Sequence, residues 1–380
     1  MVKEIFEKKE KKVEYIELIY DLIFVYVIGR NNSLLHHIEG GFIQTPVFLS
    51  YILCTLAVIQ IWMYTTYYIN IYGRNGAREY IFMFVNMFLI YFMAEGTRQD
   101  WQSYHTSYHI AWALILLNIA LQYIFELRNF RIDTDRIPGI RRMTVVILGE
   151  AVLAALAIFE FNRFGTSFLS WAAVVLSIVL VTLLGRQDNG EKVDFEHLSE
   201  RAMLYVVFTF GEMIIAISTY FDDGFTINNL YFALMAFLIV VGLFLSYGVM
   251  YDKMLDRRLQ TNGLMYMLIH VFIIFALSGI TAALEFMREE EIDLIPKLIF
   301  LVSSYVIYYV FLFLTGFYSK KRCHLGVRFY LSMAGVCAAF AGLMFIFREI
   351  MAVNIAISVA FVFTVFIILH FKVKRMNAEE

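Results

Sequence analysis

Glu17 and Asp21 stand four residues apart in the apolar run YIELIYDLIFVYVIG, a spacing that stacks both carboxyl groups on one face of a helix. Two like charges so placed repel, so either a cation bridges them or one keeps its proton. A pair meeting arginines of neighbouring helices at a membrane surface is an equal alternative. Glu150 in TVVILGEAVLAALAIF and Glu212 in VVFTFGEMIIAISTYF lie deeper in their runs, each preceded by a glycine. Gly149 and Gly211 would let a second helix approach closely, leaving each carboxyl in a crowded, poorly solvated interface. Such a group can carry a proton, ligate a cation or simply tie two helices together by a hydrogen bond. His270 in MLIHVFIIFALSGITAAL can hydrogen bond or ligate, and a satisfied core histidine is its plainer reading. His197, Glu200 and Arg201 cluster in DFEHLSERAMLY, where Ser199 could cap a helix and the charges could pair around its start. Trp62, Tyr64, Tyr67, Tyr68 and Tyr72 gather in WMYTTYYINIYG, either as an interfacial aromatic belt or as a stacking platform in a cavity. His36 with His37, and His105 with His109, read as solvated residues near the outer surface.

The elements that must position these residues are membrane helices. The chain has 380 residues, 61% hydrophobic and 17% charged, beyond the usual composition of soluble domains. Apolar runs long enough for a bilayer core recur at about 15–36, 46–70, 80–97, 106–127, 142–161, 165–185, 201–221, 227–250, 262–287, 293–318, 327–347 and 351–371. They are apolar on every face, which excludes a membrane β-barrel. Each added or lost helix would flip the side of every later loop, and cytoplasmic loops collect Lys and Arg. With twelve helices and both termini cytoplasmic, 25 of the 31 basic residues fall inside, leaving Arg30, Arg98, Arg163, Arg288, Lys297 and Arg348 outside. The inner set begins with Lys3, Lys8, Lys9, Lys11 and Lys12 and includes Arg131, Arg186, Lys192 and Arg322. The expected fold is therefore an all-α polytopic bundle of about twelve transmembrane helices. It forms a single membrane domain over 1–380, with 1–190 and 191–380 as possible halves.

The formal net charge of −2 gives no basic footprint for nucleic acid. Cys54, Cys323 and Cys337 stand apart with no CxxC spacing, so neither a disulfide framework nor a zinc site is suggested. No metal and no cofactor is expected. The first run has no small-residue cleavage site and reads as a retained helix. No loop is large enough for a catalytic domain, so any chemistry belongs to the bundle or its mouths.

Four segments resemble the bacterial low temperature requirement A (LtrA) family. IELIYDLIFVYVI is similar to its opening signature, through Glu17 and Asp21. WMYTTYYINIYG resembles its second-helix segment through Trp62, Tyr67 and Asn70, the three residues that a substrate cavity would draw on there. EHLSERAMLYVVFTFGEMIIAIS is similar to a later segment through His197, Glu200, Arg201, Gly211 and Glu212, and LIHVFIIFALSGI through His270 and Gly279. The chain departs from the family in INIYGRNG, where an acidic residue often follows the asparagine. The resemblance implies a multi-helix bacterial membrane protein linked by name to growth in the cold, with no settled substrate.

Three functions fit these residues. The first is a secondary transporter or permease for a cation, proton or small solute, using Glu17, Asp21, Glu150 and Glu212. The second is a membrane-embedded enzyme acting on a lipid or isoprenoid carrier, with Glu212 as acid or base and Arg201 as phosphate anchor beside His197 and Glu200. The third is a sensor or complex subunit. Convergence of the acids and His270 on one cavity would favour transport, and separate pairing would favour structure.

Overall fold

Lipid offers backbone amides no water, so an apolar chain that crosses a membrane must close its hydrogen bonds within the segment, and helix is the local solution. The computed structural model describes residues 12–97, 101–128, 136–185, 193–222, 224–289, 291–321 and 323–378. Lys3, Lys8, Lys9, Lys11, Arg98, Arg131, Arg186, Lys192 and Arg322 of the charge pattern lie outside them. The described residues form twelve helices: α1 (Tyr15–Leu35), α2 (Thr45–Tyr72), α3 (Ala77–Glu95), α4 (Trp101–Leu127), α5 (Ile137–Phe164), α6 (Phe168–Gly185), α7 (Phe195–Ala216), α8 (Ile227–Gly248), α9 (Leu264–Phe286), α10 (Leu294–Leu314), α11 (Val327–Ile346) and α12 (Met351–Ala378). Each of the twelve apolar runs is a helix. Ten are long and apolar enough to span a membrane. The other two are α1, diluted by Glu17, Asp21, Arg30, Asn31 and Asn32, and α6, the shortest at 18 residues. The protein is an all-α polytopic membrane protein.

Local chemistry sets the ends of these helices. Pro46, Pro138 and Pro296 all fall in the first turn of a helix, α2, α5 and α10, where a missing N–H costs nothing. Glu160, near the end of α5, accepts from the amides of Phe168 and Leu169 at 2.8 and 2.6 Å and so caps α6. A two-residue hairpin, β1 (Ile38–Glu39) with β2 (Phe42–Ile43), follows α1. Its turn uses Gly40 and Gly41 at φ 64° and 87°, as a tight hairpin requires.

The chain divides into two compact units assembled from interleaved segments. The first comprises residues up to Val27, Leu56–Leu204 and Arg257–Leu264. Within it α4 packs on α3 and α5, and α5 on α6. The second comprises Ile28–Thr55, Tyr205–Asp256 and the chain from Met265. Within it α12 packs on α8 and α11. At Gly242 of α8 an added Cβ would strike the Val362 side chain of α12, so the missing side chain is what lets these helices meet.

A buried ion cluster as candidate functional site

The first unit gathers Glu17 and Asp21 of α1 with His197 and Arg201 of α7. Both pairs have a four-residue spacing, so each helix presents its two groups from one face. Arg201 is the bridging cation: its Nε and Nη2 donate to Asp21 Oδ2 and Oδ1 at 2.9 and 2.6 Å, and its Nη1 donates to Glu17. Glu17, Asp21, His197 and Arg201 are each 0% exposed. Trp62 of α2 adds a bond from Nε1 to Asp21 Oδ1 at 2.9 Å. Charge-assisted bonds of this kind are what allow charges to be buried at all.

Asn70 of α2 fixes the histidine. Its Oδ1 accepts from the Asp194 amide at 3.0 Å, which sets the orientation of the carboxamide. Its Nδ2 then donates to the Asp194 carbonyl at 2.8 Å and to His197 Nδ1 at 3.0 Å. A neutral imidazole accepting at Nδ1 carries its proton on Nε2, and that nitrogen lies 3.2 Å from Glu17 Oε2. Asp194 also caps α7, accepting from the His197 amide at 3.3 Å. Ser199, expected to cap this helix, instead donates to the Glu196 carbonyl at 2.9 Å inside it.

The other candidates do not share these partners: Glu150 and His270 bond separately, which counts against transport through one shared set of acids. Glu200 is half-buried and, among the described residues, makes no bond to the cluster. Tyr67 donates to the Asn262 carbonyl at 3.1 Å. Trp62, Tyr64, Tyr68 and Tyr72 are buried, so the expected interfacial belt is turned inward, with Trp62 bonding Asp21 and Asn70 bonding His197. Glu150 receives a bond from Tyr64 to Oε2 at 2.7 Å. Gly149 and Gly211 have open space where a Cβ would point, contrary to the close helix approach expected there. At Gly29 of α1 an added Cβ would instead meet the Glu212 carboxylate within the second unit, a side-chain tip and not a second helix backbone. Also in that unit, His270 Nδ1 donates to the Tyr266 carbonyl at 2.8 Å, and Tyr247 donates to Nε2 at 3.0 Å. That bonding satisfies a neutral core histidine.

The histidines expected near the outer surface divide. His36 is exposed and pairs with Glu285 at 2.9 Å, and that hydrogen bond raises its pKa above the ordinary imidazole value. His105 and His109 are 0% exposed, not solvated: the His105 ring is stacked between His109 and Phe161, at 3.8 Å from each. Sequence reasoning missed the bond from Tyr64 to Glu150, Gly29 and a second ion cluster, in which Arg74 and Arg78 each lie 2.7 Å from the fully buried Glu126. A lone acid in the apolar LQYIFEL run was the available signal for Glu126. Among the described residues, no group of three or more His, Cys, Asp or Glu side chains is arranged to hold a metal ion.

Twelve helices, ten of them long and apolar enough to cross a bilayer, with ions held between α1, α2 and α7, define a polytopic helical membrane protein. The chain belongs to the bacterial low temperature requirement A (LtrA) family, whose family model matches residues 12–369. No curated protein matches the sequence.

Proposed function

We propose that this LtrA-family protein is a proton-coupled permease of the bacterial cytoplasmic membrane for a cation or small solute, and that the Glu17, Asp21, His197 and Arg201 cluster is its proton site. One observation carries the reading: two carboxylates face one guanidinium, all fully buried. With both acids ionised and His197 neutral, the cluster holds one negative charge in excess, and an uncompensated buried charge is expensive. A proton is the smallest cation that removes it. Taken up at His197 Nδ1, from which the Asn70 amide must turn away, that proton leaves Nε2 donating to Glu17 Oε2, 3.2 Å distant.

Gain or loss of the proton alters how strongly α7 is held to α1, because His197 and Arg201 draw on the same carboxylate of Glu17. Coupling to a solute follows if the two protonation states favour different helix arrangements. The lipid-enzyme reading loses support from the same geometry. Arg201 is 0% exposed and directs three of its five N–H donors at two carboxylates, so it is poorly placed to receive a phosphate.

The test is proton flux into proteoliposomes under an imposed pH gradient, with a broad solute screen. Wild type should move protons with one solute class, and His197→Gln, which keeps a polar side chain but cannot titrate, should lower the flux at least tenfold. Glu212→Gln should leave it unchanged. No flux in any condition, or full flux in His197→Gln, rejects the proposal.

A further inference from the structure

The proton site makes no use of the face of the first unit where α5 meets α6. An open groove of about 730 Å³ runs between these helices, from Arg141 and Arg142 past Gly149 and Glu150 to Leu176 and Ser177. Its rim residues Val145 and Val152 are exposed, and in a membrane protein such apolar surface meets lipid. One polar group in its wall is out of place there. Glu150 is 1% exposed, and Tyr64 donates to its Oε2 at 2.7 Å, but its Oε1 is buried with no hydrogen-bond partner. Ser177, the adjacent hydroxyl on α6, donates to the Ala173 carbonyl at 2.6 Å. Beside the carboxyl, Gly149 leaves a notch: an added Cβ would meet nothing within 4 Å.

Leaving a buried carboxyl oxygen unpaired is costly, and here the carboxyl belongs to a residue that lines the groove. We propose that the α5 and α6 groove binds a lipid-soluble hydroxylated molecule of the alkylphenol or hydroquinone class, whose hydroxyl bonds Glu150 Oε1 while its apolar body lies in the groove. A hydroxyl suits this oxygen because it can donate to a carboxylate or accept from a carboxylic acid. An aryl ring suits the notch at Gly149, which no protein side chain fills. A plain acyl chain matches the walls but leaves Oε1 unpaired, as before. Pockets that pair apolar walls with one placed polar group draw specificity from that group, and the site sits apart from the partners of Arg201.

The test compares 4-nonylphenol with nonylbenzene, which differ only in the hydroxyl. Binding to the full-length protein in liposomes is measured by equilibrium partitioning, with protein-free vesicles of the same lipid as the baseline. Wild type should bind the phenol at least tenfold more tightly than the alkylbenzene after that correction. Glu150→Met, similar in size but without the carboxyl, should abolish the preference. Gly149→Leu keeps the carboxyl, fills the notch and favours helix, so it should fold and lose phenol binding at least tenfold. Equal binding of the two probes by wild type, a phenol preference surviving in Glu150→Met, or undiminished phenol binding by Gly149→Leu overturns the proposal.

Discussion

Arg201→Met removes the guanidinium that bridges Glu17 and Asp21 while keeping an unbranched side chain of comparable length. The two carboxylates, each 0% exposed, then lose three guanidinium bonds. Breaking a buried ion pair from one side costs about 3–5 kcal/mol, because the orphaned charge stays in a low-dielectric site. Removing the acids as well should recover most of that loss, since neutral groups of similar shape replace a buried ion set at little net cost. The informative comparison is therefore Arg201→Met against the triple variant Glu17→Gln, Asp21→Asn, Arg201→Met. Reversible unfolding in mixed micelles is the assay, followed by far-UV circular dichroism. The single variant should lose about 3–5 kcal/mol and the triple variant less than about half of that. A single variant within about 1 kcal/mol of wild type, or a triple variant worse than the single, would refute the electrostatic account.

Three further outcomes follow from particular contacts. Trp62→Phe deletes the 2.9 Å bond to Asp21 Oδ1 and should cost about 1.5–3 kcal/mol, the usual worth of a bond to a charged group, measured by the same unfolding assay. Gly29→Val drives a side chain into the Glu212 carboxylate. That carboxylate ends a flexible side chain and can swing aside, so the cost should stay below about 1 kcal/mol, and Glu212→Ala should remove it in a double-mutant cycle. His36 has its pKa raised by Glu285, so their pairing stabilises the fold fully below the unfolded imidazole value of about 6.5. That contribution disappears as pH rises through the raised folded value. Thermal midpoints should show this decline between slightly acidic and alkaline pH in wild type and lack it in Glu285→Gln.

The helices were legible because lipid imposes one rule on every span: about 20 apolar residues with internally satisfied backbone. All twelve runs are helices, including α1, whose acids place it below the apolar threshold that ten others pass. The placement of Glu17 and Asp21 on one face was readable from their four-residue spacing, as was the choice between a bridging cation and a retained proton. Which cation was not readable, because Arg201 lies 180 residues from Asp21 and only folding brings them together. Asn70 was marked by resemblance alone, and its task of holding both Asp194 and His197 needed coordinates. The glycines before Glu150 and Glu212 misled, since the sequence says a side chain is missing but not on which side another helix stands. His105 and His109 misled for a related reason: position near the end of a span suggests water, whereas aromatic neighbours from α4 and α5 enclose both rings.

The central claim is that the cluster takes up a proton through His197 and Glu17. It is tested most directly by counting protons bound on titrating purified protein with a pH-indicator dye, wild type against His197→Gln. Wild type should take up about one proton more than the variant, the charge needed to neutralise one excess carboxylate. Identical uptake by the two proteins would contradict the account.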